Sequence, residues 1–187
     1  EADVLAGDLK ALNDSRKDMT ARALEEALIQ VETTEIREDD VLVIYLPDCH
    51  ESLAGIVAGK VREEYYKPVF VLTRAAEGLK GSGRSIETWH MYEGIHRCAH
   101  LLTKYGGHKM AAGLSLPEEN LDAFRRLINE KSGITEDDLT EKISIDMQLP
   151  FSCATETFIR ELRVLEPFGK GNTKPLFAER NVMVHSA

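Results

Sequence analysis

Basic residues are in short supply in this sequence: 23 Lys and Arg face 32 Asp and Glu, a formal net charge of -9. That deficit excludes a protein coated in positive charge, the usual form of a general nucleic-acid binder. It still allows a small basic pocket, because net charge is a sum over all faces. Cysteine is scarce as well. Cys49, Cys98 and Cys153 are odd in number and widely spaced, which argues against a disulfide framework and for a reducing cytosol. No apolar run reaches the length of a membrane-crossing helix, and no signal-peptide pattern opens the chain. Internal repeats and low-complexity tracts are missing too. There is no Asp-His-His triplet and no aspartate cluster fit for a two-metal site. The pairs Asp39-Asp40 and Asp137-Asp138 read as capping or solvated charges. His96, Cys98 and His100 stand two apart on a predicted helix, where residues i and i+2 face different ways. Only His96 and His100 share a side and no third ligand joins them, so no metal site is expected.

What is present fits an α/β protein. The 187 residues are 43% hydrophobic and 29% charged, ordinary values for one globular domain with flanking pieces. Glu1 stands first in place of Met, and residues 182–187 break off within a strand-like stretch, so both ends are expected to be cut from something longer. Helical spacing predicts a helix over Leu9–Glu32. The β-branched run Val41–Leu46 predicts a buried strand, Ser52–Tyr66 a helix with an apolar stripe on one face and small residues that permit close packing, and Val69–Leu72 a second buried strand. Strand, helix, strand in that order predicts a largely parallel sheet. Further strands are expected at Leu79–Ile86, Met110–Leu116, Ile143–Leu149 and from Leu176. Helices are expected at Tyr92–Lys104, from Pro117 to Asn129, and at Thr155–Leu165.

Three stretches can carry chemistry, each with a plain structural alternative. Gly81-Ser82-Gly83-Arg84-Ser85 offers hydroxyls and a planar guanidinium matched to phosphate oxygens, with glycines that allow close backbone approach. Taken alone, it reads first as a glycine-rich turn with a solvated arginine. Gly106-Gly107-His108, followed by Ala111-Ala112-Gly113, leaves room for a ligand beside an imidazole. It also reads as a helix end before a small-residue strand. Asp48-Cys49-His50 follows the first strand, where open α/β sheets tend to bind ligands, or His50 is simply a loop histidine.

In this order and spacing, these motifs resemble the DHH-associated domain of the DHH phosphoesterases. Further residues bring the resemblance to the RecJ family of single-strand-specific DNA exonucleases. They are Leu12-Asn13 with Arg16, His50 with Gly55-Ile56-Val57-Ala58, and Leu165-Glu166-Pro167-Phe168-Gly169-Lys170-Gly171-Asn172 with Pro175 and Phe177. Cys49 and Ser52 depart from the Trp and Gly usual there.

The resemblance implies a mixed, mostly parallel α/β sheet flanked by helices, preceded by a linker helix and followed by the start of an OB-fold. It divides the chain into a linker at 1–35, a substrate-binding domain at 36–142, and a connecting segment with a truncated OB-fold at 143–187. It implies a parent enzyme hydrolysing single-stranded DNA from 5′ to 3′ in repair and recombination. That enzyme would use Mn2+ or Mg2+ held by an N-terminal DHH domain outside this chain, with no membrane partner. Ser82, Arg84 and His108 would grip the strand, with Ser85, Gly106, Gly107, His50 and Arg16 in the same binding set. No catalytic residue and no cofactor are expected in this chain. Two readings stay open beside it: an oligoribonuclease or cyclic-dinucleotide phosphodiesterase of the same superfamily, and a non-catalytic nucleic-acid-binding module.

Overall fold

The computed structural model describes residues 2–183 and divides into two compact units, 1–141 and 142–187. The first unit holds α1 (Ala2–Thr33), β1 (Leu42–Tyr45), α2 (Glu51–Tyr65), β2 (Val69–Arg74), β3 (Leu79–Arg84), α3 (Met91–His96), β4 (Lys104–Gly107), β5 (Ala111–Leu116) and α4 (Leu121–Glu130). Its five strands form one sheet in the order β1-β2-β3-β5-β4.

Two apolar layers clamp this sheet, as side chains alternating along each strand require. Leu42, Ile44, Val69 and Val71 face Ala54, Val57, Ala58 and Val61 of α2, and Ala27 and Val31 of α1 close that layer. On the opposite face Val43, Phe70, Leu72, Leu79 and Leu114 pack with Trp89 and Ile95, and with Phe124 and Ile128 of α4. The Phe70 and Phe124 rings meet edge to face at 5.7 Å.

The expected mixed sheet between helices is present, but its parallel share is smaller than the strand-helix-strand pattern predicts. Only β1 and β2 run parallel; β2–β3, β3–β5 and β4–β5 are antiparallel. The cause is connection length. The α2 crossover can return the chain to run parallel, whereas the short links at 75–78 and 108–110 can only reverse it. Gly78 turns the first link at φ +75, and a side chain there would strike the Leu116 carbonyl. The helix expected over Tyr92–Lys104 is also corrected. α3 stops at His96, a 3-10 turn follows at Ala99–Leu101, and Lys104 already begins β4. Gly106-Gly107 therefore lies in a strand and not at a helix end. Pairing with β5 satisfies four residues of backbone there, which outweighs weak local strand propensity.

Helix side chains close the β1 edge. Gln30 accepts from the Tyr45 N–H at 3.0 Å and donates to its carbonyl at 3.2 Å. Arg125 donates twice to the Val43 carbonyl. Asn129 accepts from the Val41 N–H at 2.8 Å and donates to its carbonyl at 3.1 Å. Amides and guanidinium here do the work of a sixth strand. Asn129→Ala leaves two backbone groups of the buried Val41 without these partners, which costs about 1–3 kcal/mol. Urea denaturation reads this directly, and an unchanged midpoint would mean that water replaces the amide.

In the second unit, β6 (Met147–Gln148) pairs in parallel with β7 (Phe177–Ala178). The strand expected over Ile143–Leu149 is reduced to two residues. Between them runs α5 (Glu156–Leu162), capped by Thr155, whose Oγ1 accepts from the Phe158 N–H. Phe158 packs edge to face on Phe177 at 5.5 Å. Asn172 donates to the Leu165 and Pro167 carbonyls and holds that loop together. The strand read at 182–187 falls, from 184 on, outside the described residues.

Candidate functional site

Among the described residues no helix packs on one half of one sheet face, and register fixes what lies there. Gly81 and Gly83 point to the Phe124 side of the sheet, so Lys80, Ser82 and Arg84 point to the α2 side. Pairing across β3, β5 and β4 then builds lateral rows. Ser82, Gly113 and Gly106 form one; Lys80, Ser115 and Lys104 form the next. Arg84 pairs with Ala111, whose carbonyl accepts from the His108 N–H at 2.8 Å. The result is a shelf of glycine, alanine, hydroxyl and basic residues beside the wall of α2. A cavity of about 500 Å3 opens on it, lined by Ser82, Gly106, Gly113, Lys80, Lys104 and Ser115 together with Glu51 and Ser52 of α2.

The glycines of this region serve two different ends. A Cβ on Gly81 would come within 2.3 Å of Leu72, and one on Gly83 within 2.5 Å of Met91 and 2.6 Å of the Phe70 ring. These two are core glycines, so the close approach expected around Ser82 is made by the protein's own side chains. Gly107 has φ +153, and a Cβ there would meet Ala111 and Ala112 at 2.4–2.6 Å. Gly106 and Gly113 differ. A Cβ on Gly106 meets nothing within 4 Å, and one on Gly113 meets only the Gly81 carbonyl at 3.8 Å. Folding does not need glycine at either position, and glycine in a strand is costly. The bare floor they leave is the feature that packing does not explain.

Arg84 lies along α2. Its Nη1 donates to the Gly83 carbonyl at 2.8 Å, and its guanidinium rests where a Cβ on Gly55 would be, 2.6 Å from Nη2. The guanidinium has five N–H donors, so this one bond leaves most of the fork for another acceptor. His108 accepts the Met110 N–H on Nδ1 at 3.2 Å, which places the ring proton on Nε2 as an outward donor. His50 caps α2: its Nδ1 accepts from the Ser52 N–H at 3.3 Å and lies 2.7 Å from the Ser52 hydroxyl. It stands at the helix end that borders the cavity, and its role in holding α2 is visible without any ligand.

Gly107, packed against Ala111 and Ala112, does not join the shelf, nor do Ser85 and Arg16. Ser85 is 1% exposed, and its hydroxyl donates to the Trp89 carbonyl at 2.8 Å; β3 has ended, and the chain has turned inward. Arg16 is exposed on α1, bonded to Asn13, and lines a separate groove with Lys17, Leu24, Ile56 and Lys60. Lys80, Lys104 and Ser115 were not legible as site residues, because only register aligns three separated strands. The sole local signal was their spacing of two from Ser82, Gly106 and Gly113.

The electrostatics match an anion site. Lys104 has no ion-pair partner among the described residues. Lys80 holds the Glu51 carboxylate at 2.8 Å, and that hydrogen bond, with the lysine charge behind it, lowers the Glu51 pKa. Burial pushes the fully covered Cys98 thiol up to about 11, which keeps it an inert thiol. No group of three or more His, Cys, Asp or Glu suited to a metal exists among the described residues. His96 instead bonds the Tyr105 hydroxyl through Nδ1 at 2.9 Å. No described helix is long and apolar enough to cross a membrane.

Comparison with known proteins identifies the family. The DHHA1 domain model matches residues 38–132, and the RecJ OB domain model matches 145–187. The chain is 35% identical over 190 residues to the single-stranded-DNA-specific exonuclease RecJ of Salmonella typhimurium, covering 96% of this chain and 33% of that protein. Crystal structures of Thermus thermophilus RecJ in complex with Mg2+ and with Mn2+ superpose at TM-score 0.81 with 30% identity. The match covers 93% of this chain and 27% and 26% of those chains. The chain thus spans about a third of the length of its curated relatives.

Proposed function

Since the chain belongs to the DHHA1 domain family and matches the RecJ OB domain after it, we propose that it grips the strand for a single-strand-specific 5′-to-3′ DNA exonuclease. The bare floor at Gly106 and Gly113 is the observation that carries this reading. A sugar-phosphate chain can lie flat there against Ser82, with Arg84 one row further along β3 and His108 bonded to Ala111, the β5 partner of Arg84. Arg84 supplies a fork for phosphate oxygens, and the hydroxyls fix their orientation. The α2 wall leaves the shelf open on one side, which suits a single strand. In an acidic protein such a patch concentrates the anion locally without a broad basic face.

Hydrolysis belongs, in this reading, to an N-terminal DHH domain that carries Mn2+ or Mg2+. Among the described residues no group of three or more His, Cys, Asp or Glu could hold the ion, so in this reading its ligands come from that domain. A large apolar side of α1 supports a companion domain: Leu5, Leu9, Leu12 and Met19 recur at helical spacing and are 47–68% exposed. Arg16 on the same helix would meet the strand as it leaves the shelf. The proposed boundaries are 1–35 for the linker, 36–142 for the binding domain and 143–187 for the OB-fold start.

The 187-residue chain tests this with a 5′-phosphorylated oligothymidylate. We expect weak binding with a shallow salt slope, preference over the matching duplex, and no hydrolysis in Mn2+ or Mg2+. Metal-dependent cleavage by the purified chain would contradict the division of labour. Equal binding of duplex would contradict the single-strand grip. A small-substrate phosphodiesterase would instead bind a dinucleotide as well as the long strand.

A further inference from the structure

In the strand-gripping reading, Arg84, Ser82 and His108 hold one phosphate. The cavity extends the other way, to the row of Lys80, Ser115 and Lys104. We propose that this row is a second anion subsite, which holds the next phosphodiester of the strand, and that Glu51 is an internal competitor for it. The inference rests on the strand-gripping reading and extends it to strand register.

Three observations converge. First, the two rows stand two residues apart on β3, β5 and β4, about 7 Å along the strands, a step comparable to that between successive phosphates of an extended strand. Second, the row pairs two lysines with a central hydroxyl, with Gly106 and Gly113 as open floor beside it. Its inner end is Thr73, 1% exposed, whose Oγ1 finds no partner among the described residues. Third, an anion already sits on Lys80, namely the Glu51 carboxylate at 2.8 Å. That pair is exposed on both sides, 53% and 58%, so solvent screens it and an incoming phosphate can displace it. Glu51 opens the fifteen-residue α2, whose first turn borders the same cavity.

The test compares two probes on the full 187-residue chain by NMR titration: thymidine 5′-monophosphate and the 5′-phosphorylated dithymidine dinucleotide. The dinucleotide is expected to bind more tightly, with a salt slope steeper by about one ion. Lys104→Gln should remove that extra slope and leave the mononucleotide unchanged. Glu51→Gln should tighten the dinucleotide several-fold and leave the mononucleotide unchanged. If the dinucleotide gains nothing, or Lys104→Gln weakens both probes equally, the second subsite is wrong while the grip at Arg84 stands. If neither probe binds, the strand-gripping reading itself fails and takes the subsite with it. An amide spectrum that matches the parent confirms that each variant is folded.

Discussion

Arg84→Ala is expected to lower the affinity of the 187-residue chain for 5′-phosphorylated single strands by roughly 10- to 100-fold. The figure follows from hydrogen bonds to charged groups, worth about 1.5–3 kcal/mol each, with about 1.4 kcal/mol per factor of ten. Arg84→Lys should recover little, because an ammonium keeps the charge and loses the planar fork. A purely electrostatic role predicts the opposite, near-full recovery by lysine. Gly55→Ala separates binding from folding at the same locus. Alanine in mid-helix gains up to about 1 kcal/mol over glycine. Its Cβ would stand 2.6 Å from Nη2 of Arg84, however, so the guanidinium must leave its seat on α2. The flexible arginine tip can move, so folding does not suffer. The expected variant is more heat-stable and binds more weakly. Unchanged affinity would show that the seat on α2 does not matter.

The parts of the fold that were legible in the sequence are those whose residues carry their own signal. Val41–Leu46 and Val69–Leu72 are apolar runs rich in β-branched residues, and the core indeed buries Leu42, Val43, Ile44, Val69, Phe70 and Val71 completely. The small residues of α2 announced close packing, and Ala54, Val57, Ala58 and Val61 provide it against the sheet. β4 was not legible. Lys104-Tyr105-Gly106-Gly107 has little strand propensity, and two glycines after a helical pattern read as a stop. Its conformation comes from β5, a partner later in the chain.

Strand direction failed for the same reason, since hairpin links and crossovers are told apart by length and not by the strands. At the site, motif residues such as Ser82 and Gly106 stood out, whereas Ser85, one residue after Arg84, turned out to point inward. Adjacent letters of a motif need not share a face. Lys80 and Lys104 lie 24 positions apart in sequence and come into one row only through Ser115.

Gly106→Val is the sharpest test of the bare floor, because it should move stability and binding in opposite directions. β4 is an edge strand, and a Cβ at Gly106 meets nothing within 4 Å. The Cβ of valine therefore enters without a clash, and valine adds strand propensity, a gain of up to about 1 kcal/mol. Its two methyls project into the cavity between Ser82 and Lys104, where the strand would lie. We expect an unfolding midpoint equal to or above the parent's, and single-strand affinity lower by at least about tenfold, the cost of displacing one phosphate or sugar from the shelf. Gly107→Val is the matched control one residue on. At φ +153, with Ala111 and Ala112 atoms at 2.4–2.6 Å from the new Cβ, it should lose stability outright. If Gly106→Val is as stable as expected and still binds the strand normally, the strand does not cross this floor. The absence of a side chain at Gly106 would then be without a functional cause. A stable variant that no longer binds ties the missing side chain to the ligand, the one role for this glycine that folding does not already explain.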